Sequence, residues 1–268
     1  LNASVAIYRE LGLDRRTARG LHNLGISYME SGDMAASRRC LEQALEIDSV
    51  VGSPRDEALD LGWLGKLHWL RKDYAAAVEV LDRALALDAE VDSAEEADWH
   101  LIWRTAVACE RGDLAGARHY LQRAEEMVAQ GSTNLNRHDL LQWDASIHLA
   151  EGDVETAQQL ARRALGEAEA AGAPPTTRGE ILILLGRALA AGPAADDAEV
   201  RRHFEDALAL LPDVVPNMYL RAMTLYHYGR YLEHTDWPEP AAACRDEARE
   251  IFERIGVPTA FMESPGVG

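Results

Sequence analysis

Leu21-His22-Asn23-Leu24-Gly25-Ile26-Ser27-Tyr28-Met29-Glu30-Ser31-Gly32-Asp33-Met34-Ala35-Ala36-Ser37-Arg38-Arg39-Cys40-Leu41-Glu42-Gln43-Ala44 is a phrase that this chain repeats. Its skeleton is Leu21, Leu24-Gly25, Tyr28, Gly32-Asp33, Ser37, Leu41 and Ala44. Forty residues on, the same skeleton returns as Leu61, Leu64-Gly65, His68, Lys72-Asp73, Ala77, Leu81 and Ala84. A third copy reads Leu101, Ala108, Gly112-Asp113, Ala117, Leu121 and Ala124; a fourth reads Leu141, His148, Gly152-Asp153, Ala157 and Ala164. A fixed period of this length marks a stacked-repeat architecture, in which each unit buries its apolar face against its neighbours.

Working outward, the phrase predicts six helix pairs. First helices are expected near 14–31, 54–71, 94–111, 136–151, 176–191 and 217–234. Second helices are expected near 33–48, 73–88, 113–130, 153–171, 196–211 and 239–255. Gly32, Gly112 and Gly152 supply left-handed caps, and the Asp after each caps the next helix. The fifth turn, Gly192 to Asp196, is looser; the sixth is Thr235-Asp236-Trp237-Pro238. Pro54, Pro174-Pro175 and Pro216 stand near the starts of first helices, where a missing N–H costs little. Residues 1–12, ending Ile7-Tyr8-Arg9-Glu10-Leu11-Gly12, read as the second half of a repeat, and Ile251-Phe252-Glu253-Arg254-Ile255-Gly256 ends the same way. The expected domain is a single solenoid over 1–268, with a half repeat at 1–12, six pairs over about 14–256, and a loose tail at 257–268. Because a repeat is already under way at Leu1, the chain is read as a fragment of a longer protein.

The pattern also predicts the packing. Ala77 and Ala84, Ala117 and Ala124, and Ala157 and Ala164 allow close helix approach. Gly25, Gly65, Gly186 and Gly229 do so from the first helices, while Leu41, Leu81, Leu121 and Phe204 fill the space between. Arg245 stands where a large apolar residue is expected.

The chain of 268 residues carries 27 Lys+Arg against 45 Asp+Glu, a net charge of -18. Such a surface repels phosphate backbones and anionic lipid, which argues against nucleic-acid and membrane partners. The three cysteines, Cys40, Cys109 and Cys244, are single and far apart. They fit small core residues in a reducing, cytoplasmic setting better than a disulfide framework. No apolar run is long enough to span a bilayer. There is no phosphate-binding Gly-rich loop, no His-Glu-x-x-His and no Gly-x-Ser-x-Gly. A catalytic role, a cofactor and a metal are therefore not expected; an enzyme is a minor alternative. His68 and His148 replace the motif's Tyr and are expected in the core. The pairs Arg38-Arg39, Arg162-Arg163 and Arg201-Arg202 read as solvated faces.

The spacing Leu-x-x-Leu-Gly-x-x-Tyr followed by Ala-x-x-x-Leu resembles the tetratricopeptide repeat. Arg104-Thr105 and Asp144-Ala145 depart from it in the third and fourth copies. The period of 40 to 42 exceeds the family's usual 34, which implies longer helices. The resemblance implies an all-α, right-handed superhelical solenoid of antiparallel helix pairs. Long repeats ending in such phrases look like arrays in bacterial STAND-type ATPase regulators and serine/threonine kinases. They imply a non-catalytic ligand- or protein-binding module, the sensor or docking part of a bacterial signalling or regulatory protein. The alternative is a peptide-binding scaffold or chaperone adaptor.

Trp63, Trp103 and Trp143 occupy one place in three successive copies. At 100° per residue, Trp63 falls roughly 150° from the centre of the Leu61, Leu64, Gly65 and His68 stripe. It therefore points away from its own pair, toward the inner face. The same face offers Arg19 and Asn23, then Lys66, then Trp99, then Asp139. The family binds ligands on this face, and Asn23 matches a place where a recurring asparagine contacts a bound peptide. Trp63, Trp103, Trp143, Trp99, Asn23, Arg19, Lys66 and Asp139 are thus the candidate binding residues. The occupant is expected to be a protein or peptide, another domain of the same full-length chain, or a small apolar ligand. The competing reading is that the Trp rings fill the inside of a tightly curled superhelix.

Overall fold

The computed structural model describes residues 2–91, 97–131, 134–193, 196–213, 218–235 and 237–263. Among these, all regular structure is helical. The helices are α1 (Asn2–Glu10), α2 (Asp14–Glu30), α3 (Met34–Val51), α4 (Pro54–Leu70), α5 (Tyr74–Val91), α6 (Ala97–Glu110) and α7 (Leu114–Gln130). They continue with α8 (Arg137–Glu151), α9 (Val154–Ala170), α10 (Pro175–Ala190), α11 (Asp197–Leu210), α12 (Met218–Leu232) and α13 (Pro238–Arg254). The expected boundaries agree with these to within a few residues. The start of the third first helix at 94–96, Ala194 and Ala195 of the fifth turn, Pro216, Asp236 and residues 264–268 lie outside the described residues.

The chain divides into two compact units, 1–135 and 136–268. In the first, α2 pairs with α3, α4 with α5 and α6 with α7. α3 also packs on α4 and α5 on α6, and α4 lies beside both α2 and α6. In the second unit, α8 pairs with α9, α10 with α11 and α12 with α13. This is the paired-helix packing of a tetratricopeptide-like solenoid.

The turns show why these pairs form. Gly32, Gly112 and Gly152 adopt φ of 82°, 74° and 84°, the left-handed conformation that turns the chain back. The carboxylates of Asp33, Asp113 and Asp153 then accept hydrogen bonds from the backbone N–H of Ala36, Gly116 and Thr156. In the second copy Lys72 takes the same conformation at φ 63° without being glycine. Its ammonium lies 2.8 Å from Oε2 of Glu110, whose carboxylate also accepts from Trp69 Nε1 and Tyr74 Oη. Burial pushes the Glu110 carboxyl up, but the Lys72 charge and these three donors outweigh it and leave its pKa below the usual value. This joint ties the turn of the second pair to the end of α6.

Inside each pair the small residues sit where the skeleton places them. Ala77, Ala84, Ala117, Ala124, Ala157 and Ala164 are fully buried, as are Leu41, Leu81 and Phe204. A methyl group on Gly25 would lie 2.6 Å from Leu41 Cγ, and one on Gly65 would lie 2.4 Å from Leu81 Cγ. Only a bare Cα lets the large residue of the second helix seat against the first. Arg245 keeps the same geometry by laying its stem against Gly229 and its guanidinium on Glu233.

Two features differ from expectation. His68 and His148 are half-buried at the turn, paired with Asp73 and Asp153, the residues that begin the next helix. Burial lowers the His68 pKa. The tail is ordered further than a loose end from 257 would allow. Val257 and Met262 are buried, Ala260–Glu263 forms a short 3₁₀ turn, and Phe261 stacks edge-on against Phe252 and Tyr226. An apolar Phe and Met after the last helix cover the open end of its core.

Candidate ligand-binding face

The first helices α2, α4 and α6 carry the candidate residues of the first unit, and their spacing puts those residues on one layer. The Trp63 ring meets Trp103 at 5.2 Å between centroids and 60°, and meets His22 of α2 edge-on at 6.4 Å. Trp99 lies 6.4 Å from Trp103 on the same helix. Lys66 places its ammonium 4.8 Å from the Trp63 ring centroid and 5.4 Å from that of Trp103. These are cation–π distances, so the cation is held on the aromatic layer. Trp63 thus faces its neighbouring first helices and not α5, as the helical wheel requires.

The layer is not an open ladder. Trp103 is buried between Trp63, Trp99 and His100, while Trp63, Trp99 and Lys66 are half-buried. Nearly every residue of α6 from Ala97 to Ala108 is buried, which is the signature of a helix covered on all sides. The reason is visible at His100. Its Nδ1 lies 2.8 Å from Asp88 Oδ2, and its ring sits where a side chain at Gly62 would be. That packing brings α6 tight against α4, and the Trp103 ring is enclosed as a result. The accessible aromatic surface is the Trp63 and Trp99 edges.

Trp143 and Asp139 belong to the second unit. Trp143 is half-buried on α8. Asp139 Oδ2 accepts from the Asn136 backbone N–H at 2.8 Å, and Oδ1 lies 3.6 Å from His138 Nε2. Asp139 is therefore occupied in starting α8. Asn23 and Arg19 are exposed on α2.

The layer continues into a cleft of about 260 Å³, of whose lining Arg19 alone is among the candidate residues of the sequence. It is lined by Arg15, Arg16, Arg19 and His22 from α2, Asp48 from α3, and Asp56, Leu59 and Asp60 from α4. Asp60 is 1% exposed and Asp48 4%. His22 Nδ1 lies 2.7 Å from Asp60 Oδ1, while the buried Asp60 Oδ2 has no protein donor. The Asp48 carboxyl lies within hydrogen-bonding reach of Asp60. Burial, followed by the charges of Asp60 and Asp56, pushes the Asp48 carboxyl up to about 7. Burial also raises Asp60, against the His22 contact, which lowers it. Asp56 is engaged by the Ser53 hydroxyl. Arg15, Arg16 and Arg19 are exposed and form no ion pair among the described residues.

The signal for this cleft was present in the chain. Arg15, Arg19 and His22 recur at helical spacing, and Asp60 interrupts the apolar run from Ala58 to Leu61. What the sequence did not carry was Asp48, which comes from the end of a second helix. Among the described residues there is no cluster of His, Cys, Asp and Glu suited to a metal ion, and no helix is long and apolar enough to cross a membrane. The three cysteines are half-buried and unbridged.

A comparison of the chain with curated proteins gives no match. Residues 16–90, which contain the first two full copies of the phrase together with Trp63 and all of the cleft's lining but Arg15, match the family model of the tetratricopeptide repeat, a family whose repeats generally mediate protein–protein interaction.

Proposed function

We propose that the chain is a non-catalytic binding module that serves as the sensor or docking part of a bacterial signalling or regulatory protein. The inner layer of the first helices is its recognition face. Trp63, Trp99 and Lys66 take apolar and π surface, and Arg19 and Asn23 fix orientation beside them. Trp143 carries the corresponding role on α8. The observation that supports this most is the Trp63–Trp103 contact at 5.2 Å with Lys66 over both rings. It holds a rigid aromatic edge at half exposure, and such anchors bind with little loss of side-chain entropy. The partner is a protein or peptide, in keeping with the family matched over 16–90.

The test is affinity capture by the full chain, with retained proteins and small molecules both read by mass spectrometry. Trp63→Ala and Trp99→Ala serve as controls once circular dichroism shows them folded. A partner held by the wild type and lost from either folded variant supports the face. Equal capture by both variants removes it. The sensing role predicts that a verified ligand alters the solution scattering profile; identical profiles with and without it would leave docking alone.

A further inference from the structure

The cleft beside the aromatic layer has a charge arrangement that selects its ligand. Its floor is acidic: Asp60 and Asp48 are buried, and Asp56 adjoins them. Its rim is basic, because Arg15, Arg16 and Arg19 follow one face of α2. A simple anion meets three aspartates below the arginines. A divalent cation meets three guanidinium groups, and His22 already occupies Asp60 Oδ1. A molecule carrying both charges satisfies both layers. Asp60 Oδ2, fully buried and without a donor, marks where the positive end belongs. The volume of about 260 Å³ equals roughly nine waters. That suits a molecule the size of an amino acid and is small for a folded segment.

We propose that this cleft binds a compact zwitterion, a free α-amino acid or a molecule of that size, whose ammonium group donates to the Asp60 carboxylate while Arg15, Arg16 and Arg19 hold its carboxylate. This deepens the reading of the inner face as a ligand-bearing surface; the two share Arg19 alone, and because the tryptophan variants test the face and Asp60→Asn tests the cleft, they fail separately.

The acidic floor gives the site a second property. Beside the unpaired Asp60 oxygen, the Asp48 carboxyl is pushed up to about 7 by burial and by the charges of Asp60 and Asp56. A ligand ammonium at Asp60 offsets those charges, and Asp48 then ionises. The charged groups facing it are Arg15, Arg16, Arg19 and His22 on α2 and Asp56 and Asp60 on α4. Binding near neutral pH therefore releases up to about one proton and weakens as pH falls.

The experiment is a thermal-shift screen of the full chain against the twenty α-amino acids at about 10 mM, followed by titration calorimetry of any that bind. Calorimetry is run in two buffers of different ionisation heat. N-acetyl and C-amide derivatives of each hit remove one charge at a time. At least one free amino acid is expected to bind with proton release. Both derivatives, and the variants Asp60→Asn and Arg15→Gln/Arg19→Gln, are expected to lose about ten-fold or more in affinity. The arginine variant changes exposed side chains and keeps the test alive if Asp60→Asn fails to fold. Arg163→Gln, an exposed change on α9 outside the cleft's lining, is expected to bind as the wild type does. No binding by any of the twenty overturns the proposal, as does binding that is indifferent to the arginines. A C-amide that binds as well as the free acid also overturns it and indicates a polypeptide N-terminus as the occupant.

Discussion

His22 on α2 and Asp60 on α4 meet through Nδ1 and Oδ1 at 2.7 Å, joining the first two repeats across a buried carboxylate. Asp48 completes the cluster from α3, so three helices contribute ionisable side chains to one cleft.

Asp48 makes stability depend on pH in an unusual direction for a carboxylate. Its folded value is about 7, above the ordinary aspartate value of an unfolded chain. The fold therefore binds this proton more tightly than the unfolded chain does. The stabilisation is complete below the unfolded value and is lost as pH rises from there through about 7. The wild type should lose on the order of a few kcal/mol from this group between mildly acidic and mildly basic pH. Asp48→Asn supplies a permanent donor to Asp60 and should flatten that dependence. Urea melts of both proteins at pH 5.5 and 8 decide it; parallel pH profiles would reject the assignment.

Gly65 and Gly166 are both helical glycines with opposite prospects. A methyl group on Gly65 meets Leu81 at 2.4 Å, so Gly65→Ala should destabilise by roughly 1–3 kcal/mol. Around Gly166 there is open space, and Gly166→Ala should stabilise by about 1 kcal/mol through helix propensity. Thermal melts of the pair test the contact reading, since a propensity effect alone would stabilise both.

Ser37 occupies the place that Ala77, Ala117 and Ala157 hold in the later copies. Its hydroxyl is buried without a hydrogen-bond partner. Ser37→Ala should therefore stabilise by about 1 kcal/mol, the order of the cost of an unpaired buried polar group. A denaturant midpoint unchanged or lowered would show that the hydroxyl is satisfied.

Lys72 holds a left-handed backbone, φ 63°, where the other turns use glycine. Lys72→Ala loses the Glu110 ion pair and keeps the strain, whereas Lys72→Gly loses the ion pair and relieves it. The glycine variant should be more stable than the alanine variant by about 1 kcal/mol. Equal stabilities would mean that the turn relaxes when the side chain is removed.

Trp103 is buried at 5%, and Trp63 only half so. Trp103→Ala should cost roughly 3–5 kcal/mol, and Trp63→Ala distinctly less. Iodide quenching gives an independent reading: removing Trp63 should abolish more of the quenchable emission than removing Trp103.

The helix pairs were legible because each depends on neighbours in the chain. The Leu-x-x-Leu-Gly spacing sets the packing stripe, and Gly-Asp sets each turn through its own φ and its own cap. The close approach of Gly25 to Leu41 and of Gly65 to Leu81 followed from the same in-phase repeat. The direction of Trp63 was also fixed locally, by 100° per residue. How much of that face stays open was not. Trp103 is covered because His100 and Gly62 draw α6 onto α4, a contact between residues 38 positions apart. The cleft arose in the same way, since Asp48 and Asp60 come from different helices and are buried together only once those helices pack. A carboxylate's spacing shows where it stands on its own helix, while its charge state depends on burial and on neighbours that only the tertiary structure brings near.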